Sequence, residues 1–277
     1  MAEITAAMVK DLRERSGLPM MDCKRALEEA SGDATKALEL LRKRGAAAAE
    51  KKAGRAMGEG RMGMYVDPAK GVAALAELSC ETAPVGRNPE FIALANKIAK
   101  HAALTGNADA ATIGAEQFVD DPSQTVQDLL IDVLNRIREN MKIARVARVR
   151  GRAAGYVHHD GKLGVLLVVE GSGGSEALLN DLCMHIAAMA PKALRREDLP
   201  AELVEKEKEI QRAQIIASGK PENMVDKILI GKMNRYFSEQ VLLEQPFVKD
   251  DKKTVGKVLE EAGLKAVTFL RMQVGGA

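Results

Sequence analysis

Histidine has the widest chemical repertoire of the side chains in this sequence, because a neutral imidazole binds metal ions and exchanges protons near neutral pH. The chain has four histidines, at positions 101, 158, 159 and 185. His158 and His159 are adjacent, and on a strand they would point to opposite faces, which is poor geometry for binding one metal ion together. The sequence therefore predicts no metal site.

Two other kinds of chemical site are not indicated either. The glycine-rich pattern G-x-x-x-x-G-K-[ST] does not occur, and the stretch GSGGS at 171–175 lacks the lysine and the spacing of a phosphate-binding loop. No nucleophile-elbow motif accompanies a serine, histidine and aspartate in a hydrolase order. We therefore expect a protein that acts by binding and is not an enzyme, with no catalytic residue and no cofactor.

The start of the chain has the pattern of three short helices. Thr5 is a suitable N-cap for the first helix, and Gly17 follows its last periodic residue. Apolar residues then repeat at helical spacing, and Asp33 is predicted to cap a third helix that ends at Gly45. Residues 4–45 therefore indicate a compact three-helix module.

Met20 and Met21 lie where the first two of these helices join. A module this small has too little core to bury every large apolar side chain, so an apolar pair at a loop is a candidate binding edge. Methionine is also a common gap-filler, and packing alone favours the interpretation that the pair covers the core. The residues by themselves leave both interpretations open.

Composition excludes several classes of protein. Lysine and arginine number 41 against 39 acidic residues, so the net charge of +2 gives no global case for binding nucleic acid or an acidic membrane surface. No stretch approaches the roughly 18 apolar residues of a membrane span, and the first residues lack a signal-peptide pattern. Three widely spaced cysteines indicate free thiols in a reducing compartment. We expect a cytoplasmic protein.

The middle of the chain indicates two related α+β units. Strand-forming residues at 62–66 and 72–78 flank a turn and predict a hairpin, followed by a helix from about Pro89. Asp121 and Pro122 form an N-cap and N1 pair for a further helix through Ile137. Strands are predicted at 143–149, 153–159 and 163–170, followed by a helix at 176–189.

Aligning ALANKIAKHAA with LLNDLCMHIAA places His101 opposite His185, which suggests an internal repeat. Two polar helices after Leu199 meet at a tight turn with Gly219 and Pro221, the pattern of an antiparallel coiled-coil hairpin. Thr254 is predicted to cap a last helix, and residues 265–274 indicate a strand that returns to the second unit. The helical hairpin would then be an insertion.

Three stretches stand out in the sequence: LRERSGLPMMDCKRAL at 12–27, ELSCETAPVGR at 77–87 and GYVHHDGKLGVLLVV at 155–169. They resemble the N-terminal signature, the second signature and a contact hairpin of the bacterial elongation factor Ts family, whose members exchange guanine nucleotide on elongation factor Tu. The resemblance implies a ubiquitin-associated-like fold for the N-terminal helices. It also implies that Leu12, Arg13, Met20 and Met21 dock on the GTPase.

The second signature departs from the family pattern. The usual run after Thr82 is Asp-Phe-Val, and the resemblance implies that the aromatic ring enters the GTPase and disturbs its bound Mg²⁺. Here Ala83 and Pro84 precede Val85. Ala83 cannot accept a hydrogen bond through its side chain, and Pro84 is small, rigid and without a backbone N–H. A wedge made by Pro84 and Val85 would displace less.

The resemblance implies that His158 contacts the phosphate side of the nucleotide site. We therefore expect a guanine-nucleotide exchange factor for elongation factor Tu, and a chaperone-like scaffold that binds the GTPase without fast exchange is the alternative. Direct RNA binding is the weaker third interpretation, because charge is balanced and aromatic residues are scarce. The expected domains are a docking module at 1–45, a linker at 46–62, a first core subdomain at 63–141, a second at 142–198 and 241–277, and the helical hairpin at 199–240.

Overall fold

In the computed structural model, which describes residues 4–276, the chain begins with three helices that share a small core. The Thr5 hydroxyl accepts a hydrogen bond from the Met8 N–H, which confirms Thr5 as the N-cap of the first helix. The Asp33 carboxylate accepts from the N–H groups of Thr35 and Lys36 and caps the third. The helices are α1 (Ala6–Ser16), α2 (Met20–Glu29) and α3 (Ala34–Lys52).

The sequence predicted that the third helix ends at Gly45, but the helix continues to Lys52. A Cβ at Gly45 would lie 1.8 Å from Asn135 Nδ2, so glycine here makes room for a neighbouring helix. The alanine run that follows has the highest helix propensity and extends the helix. The predicted linker at 46–62 was therefore too long, since only residues 53–58 lie between the helix and the first strand, which starts at Glu59.

A three-stranded antiparallel sheet organises the first α+β unit, with β2 (Val72–Cys80) between β1 (Glu59–Asp67) and β5 (Met141–Arg150). The predicted hairpin is confirmed, with Met62 opposite Glu77. The predicted helix start at Asp121 is wrong, because residues 121–125 form a short strand. Thr125 caps the helix instead, in a capping box with Asp128. The elements are β1 (Glu59–Asp67), β2 (Val72–Cys80), α4 (Ala83–Gly86), α5 (Pro89–Thr105), β3 (Gln117–Phe118), β4 (Asp121–Thr125), α6 (Val126–Ile137) and β5 (Met141–Arg150).

Strand β5 belongs to the first sheet, where it pairs with β2 from Met141 to Arg150. The predicted boundary at residue 142 therefore differs from the point at which the sheets divide, which is Gly151. This glycine has a φ of +116° and donates a hydrogen bond to the Gly71 carbonyl, so the chain turns there into the next sheet.

The second unit has a three-stranded antiparallel sheet, with β7 (Leu163–Glu170) between β10 (Lys265–Gln273) and β6 (Arg152–Val157). The predicted helix at 176–189 is confirmed, and the Ser175 hydroxyl caps it by accepting from the Leu178 N–H. The last strand does return to pair with the strand that begins at Leu163. The elements are β6 (Arg152–Val157), β7 (Leu163–Glu170), α7 (Glu176–Met189), α8 (Ala201–Ala217), α9 (Glu222–Gln240), β8 (Pro246–Phe247), β9 (Asp250–Thr254), α10 (Val255–Glu261) and β10 (Lys265–Gln273).

The two sheets pack on each other, and helices cover their outer faces. Alternate residues of β2 point to opposite faces of the first sheet. On one face, Ala73 and Leu75 pack against Leu166 and Val168 of β7 between the sheets. On the other face, Leu78 packs under α5 and α6. The other face of β7 packs under α7 and α10. The core therefore has a helix, sheet, sheet, helix order.

Two buried histidines occupy equivalent places in the two units. The Val119 N–H donates to His101 Nδ1 over 3.3 Å, and the ring lies beside Phe118. The Val248 N–H donates to His185 Nδ1 over the same distance. Since Nδ1 accepts in both cases, a neutral imidazole carries its proton on Nε2.

The Nε2 partners of these histidines differ, because Nε2 lies 2.8 Å from the Glu116 carboxylate in the first unit and 3.0 Å from the Gln245 side-chain oxygen in the second. Burial lowers the pKa of His185, although the Gln245 hydrogen bond opposes that shift. Burial also acts against ionisation of Glu116, but hydrogen bonds from Asn107 and His101 lower its pKa overall. The repeat therefore keeps one geometry with two different electrostatic environments.

Helices α8 and α9 lie between α7 and β8, where the first unit has only a short loop and turn. They pack side by side in opposite directions, since Arg212 pairs with Asp226 and Lys232 donates to Gln211. Ile215 joins a small apolar cluster from α9. Among the helices of residues 4–276, none combines the length and the apolar character needed to cross a bilayer.

Candidate partner-binding site

The structure separates the four residues predicted to dock on a partner. Met20 and Met21 are 53% and 60% exposed at the start of α2, and Arg13 is also exposed. Their exposure contradicts the interpretation that the methionines cover the core. The predicted docking role of Leu12 is wrong. Its side chain is completely buried in the three-helix core and cannot contact a partner while the module is folded. Helical periodicity puts Leu12 on the inner face with Val9.

The predicted Mg²⁺-side segment is the short helix α4 and its N-cap. Glu139 accepts hydrogen bonds from the Thr82 N–H (3.0 Å) and from the Thr82 hydroxyl (2.7 Å). Ala83 and Pro84 are exposed, so they form the presented part of the turn. Val85 is 7% exposed and packs into the core of the first unit. Val85 therefore anchors the turn. Of the predicted wedge of Pro84 and Val85, only Pro84 is exposed, together with Ala83.

Cys80 and Glu81, which precede Thr82, hold the base of this turn. Burial, followed by the Glu139 carboxylate, raises the pKa of the Cys80 thiol to about 11. The thiol therefore keeps its proton at neutral pH and can donate to the Thr82 carbonyl, which is 3.3 Å away. The Asn140 N–H donates to Glu81 and lowers the pKa of that carboxyl, which stays ionised. Both contacts restrict the backbone from which Ala83 and Pro84 project.

His158 lies at the end of the β6-β7 hairpin and is partly exposed. Its Nδ1 is 2.8 Å from the Tyr156 hydroxyl, and its ring centroid is 4.2 Å from that of His159. Within residues 4–276, no side chain or backbone group bonds its Nε2. The Tyr156 contact orients the ring, so Nε2 is the atom that can reach a partner.

A series of contacts connects these three segments. Asp22, next to Met21, pairs with Arg138 over 2.9 Å, and Glu139 follows Arg138 and holds Thr82. On the far side of the turn, Arg61 donates to the Gly86 carbonyl over 3.3 Å. The next residue, Met62, donates its N–H to the Gly161 carbonyl in the hairpin that carries His158. The predicted contact residues therefore lie along one continuous path.

Arg61, Arg138 and Glu139 were not singled out from the sequence. Their partners are far away along the chain, so no local spacing marks them. Arg138 alone carries a structural signal, a left-handed backbone with φ of +67°, which is uncommon outside glycine. The structure also brings together no group of three or more histidine, cysteine or acidic side chains that could hold a metal ion among the residues it describes. Along the path, the exposed side chains of Met20, Met21 and Pro84 provide apolar surface.

Comparison with known proteins shows the lineage of this arrangement. The family model described as Elongation factor TS matches residues 81–276. Elongation factor Ts of Aquifex aeolicus is 41% identical over 280 residues, which cover 97% of each chain. The chain belongs to the elongation factor Ts family. It is also similar to the elongation factor Ts proteins of Aromatoleum aromaticum, at 43% identity over 99% of this chain and 92% of the relative, and of Chlorobium phaeobacteroides, at 40% identity over 99% and 100%.

The similarity to translation elongation factors extends over nearly the whole length of this chain. The family model begins at Glu81, so it covers the turn at Thr82 and the hairpin at His158. The methionine pair in α2 precedes that match and is covered by the full-length relatives. The α+β fold predicted from the strand and helix patterns of the sequence agrees with the helices and small antiparallel sheets observed.

Proposed function

We propose that this protein is a guanine-nucleotide exchange factor that binds elongation factor Tu and promotes GDP release during translation elongation. The mechanism is thermodynamic linkage, which requires no bond to be made or broken. If the protein binds the nucleotide-free GTPase more tightly than the GDP form, GDP must bind the complex more weakly by the same factor. Its partner is a protein, and three buried free thiols agree with the cytoplasmic location expected from the sequence.

The observation that carries the proposal is the path of contacts from α2 to the β6-β7 hairpin. We assign docking to Arg13, Met20 and Met21, because these side chains are exposed on a module whose core is already filled. An exposed apolar pair gains free energy when a partner covers it. The Asp22–Arg138 ion pair joins this module to the core, so docking would bring the turn and the hairpin to the same GTPase.

The two remaining segments would act at opposite ends of the bound nucleotide. The turn of Thr82, Ala83 and Pro84 would disturb the Mg²⁺ side, with Val85 as its buried anchor. His158 would act on the phosphate side through Nε2. Each ~1.4 kcal/mol removed from the barrier to dissociation speeds GDP release about tenfold, so two modest contacts suffice. The same proposal gives the N-terminal module the docking role and places the second contact in the unit that carries the β6-β7 hairpin. Helices α8 and α9 would form a coiled-coil hairpin that adds a further contact with the GTPase.

Release of a fluorescent GDP analogue from elongation factor Tu of the same organism tests the assignment. His158→Ala should slow stimulated release roughly tenfold, the effect of losing one contact of about 1.4 kcal/mol. His159→Ala is the matched control, because that ring is adjacent and exposed but has no assigned contact with the GTPase. Equal release by the His158 variant and the native protein would remove His158 from the mechanism.

One observation favours the scaffold that binds without fast exchange. The exposed part of the turn is only Ala83 and Pro84, and neither offers an aromatic ring or a side-chain acceptor. Introducing Ala83→Asp with Pro84→Phe distinguishes the two functions. An exchange factor should already stimulate release before this change and gain little. A nearly inert native protein that becomes active on substitution would establish the scaffold.

A further inference from the structure

Arg61 lies between the two segments assigned to the nucleotide site. Its Nη1 donates to the Gly86 carbonyl over 3.3 Å, at the end of the turn that presents Ala83 and Pro84. A Cβ on Gly86 would lie 3.2 Å from the Gly60 carbonyl, so the turn also sits directly on β1. Arg61 therefore holds the turn where it meets the strand.

The same side chain covers the tip of the β6-β7 hairpin. A Cβ built on Gly161 would lie 2.5 Å from Arg61 Nη1 and 3.1 Å from its Cγ, so the arginine stem and guanidinium lie against this glycine. Gly161 has a φ of +75° and donates its N–H to the His158 carbonyl, which closes the turn that begins at His158. Arg61 thus contacts both segments at once.

Backbone and charge contacts from β1 reinforce this junction. The Met62 N–H donates to the Gly161 carbonyl over 2.7 Å. The buried Oε2 of Glu59 lies 2.6 Å from Lys162 Nζ. Glu59 and Arg61 are two residues apart on a strand and so point to the same face. This edge of β1 is the shared support for the hairpin and the turn.

We infer that Arg61 is a positioning residue that fixes the distance between the Pro84 turn and His158, so that both reach their ends of the nucleotide site in the same docked complex. The inference rests on the proposed exchange function. Its physical reason is preorganisation: two contacts that must form together cost less when the segments bearing them are already held at the required spacing.

The first test needs no GTPase. Arg61→Met keeps the apolar stem and removes the guanidinium. Arg150→Met is the charge-matched control, because this exposed residue lies opposite Val72, at the far end of β2 from the turn. Hydrogen–deuterium exchange should quicken in both 82–88 and 158–163 of the Arg61 variant, by roughly three- to tenfold as expected for one lost hydrogen bond, and in neither segment of the control. Faster exchange in one segment alone, or in neither, overturns the inference.

The second test is a double-mutant cycle on GDP release. In the native background, His158→Ala removes a positioned contact; in the Arg61→Met background the contact is already misplaced, so the same change should cost at least threefold less. Purely additive effects would show that Arg61 contributes only stability. If the native protein does not stimulate release at all, the proposed function fails, whereas the hydrogen-exchange result still decides whether Arg61 couples the two segments.

Discussion

Gly63 provides the sharpest test of how the first unit is packed. It lies in the middle of β1, and a Cβ built there would be 2.1 Å from both the carbonyl carbon and oxygen of Ala95 in α5. Its φ is not left-handed, so Gly63→Ala brings no conformational strain of its own. To restore an ordinary contact of 3.4 Å, the α5 backbone must retreat by about 1.3 Å (3.4 minus 2.1), and backbone cannot rotate away as a side chain can.

Overpacking typically costs ~1–3 kcal/mol, and a clash with backbone belongs at the upper end, near ~3 kcal/mol. For a chain of this size, ~1 kcal/mol corresponds to roughly 2–4 °C in Tm, so we expect a loss of roughly 6–12 °C by scanning calorimetry. Gly231→Ala is the control, because a Cβ there meets nothing within 4 Å and alanine favours a helix interior by ~1 kcal/mol. A Gly63→Ala Tm equal to the native value would refute the close approach of α5 to β1.

Three further predictions concern the module, the repeat and the contact between sheets. Leu12→Ala should destabilise the N-terminal module by roughly 2–5 kcal/mol in urea unfolding, whereas Met20→Ala should leave stability unchanged and weaken binding to elongation factor Tu. Because burial lowers the pKa of His185, its contribution to stability is present above pH ~6.5 and is lost as the pH falls towards the depressed folded-state pKa. Gln245→Glu, which reproduces the acidic partner of the first unit, should reduce that loss in Tm measurements between about pH 5.5 and pH 7.5, one unit either side of the ordinary histidine pKa of about 6.5. Glu77 accepts from Arg145 and from the Gly275 N–H, so Glu77→Gln should lower the free energy of unfolding by ~2 kcal/mol.

Each of these expectations has a clear contrary result. If Leu12→Ala and Met20→Ala weakened binding to elongation factor Tu equally and neither changed stability, Leu12 would lie on the docking surface and not in the core. A Gln245→Glu variant at least as acid-sensitive as the native protein would show that the buried imidazole does not control the acid response. For Glu77, an unfolding free energy within ~0.5 kcal/mol of native would show that this buried carboxylate does not hold the end of β10 to the first sheet.

Local patterns predicted elements well where the physical cause is local. Thr5 and Asp33 cap helices because their side chains reach N–H groups two or three residues away. The same reasoning failed at Asp121, where the side chain accepts from Ser123 within a short strand and Thr125 makes the helix cap. It also failed at Gly45, since a glycine that admits a neighbouring side chain looks like a glycine that ends a helix.

The candidate site was predictable only in part. Met20 and Met21 could be found because two large apolar residues at a helix junction are conspicuous, and family resemblance pointed to Thr82 and His158. Leu12 was assigned to the same surface although its helical position is internal. Arg61 could not be found, because its contacts with Gly86 and Gly161 join positions 25 and 100 residues apart in the chain (86 minus 61, 161 minus 61).

By itself, the sequence determined the family, the caps at Thr5 and Asp33, the strand-rich segments and the alignment of His101 with His185, since each depends on residue type and short spacing. Only the tertiary structure decided that β5 completes the first sheet, that Val85 and Leu12 are buried, and that Arg61 joins the turn to the hairpin. The physical reason is that burial and long-range hydrogen bonds depend on which surfaces meet when two sheets stack. Residues far apart in sequence acquire their roles only at that step.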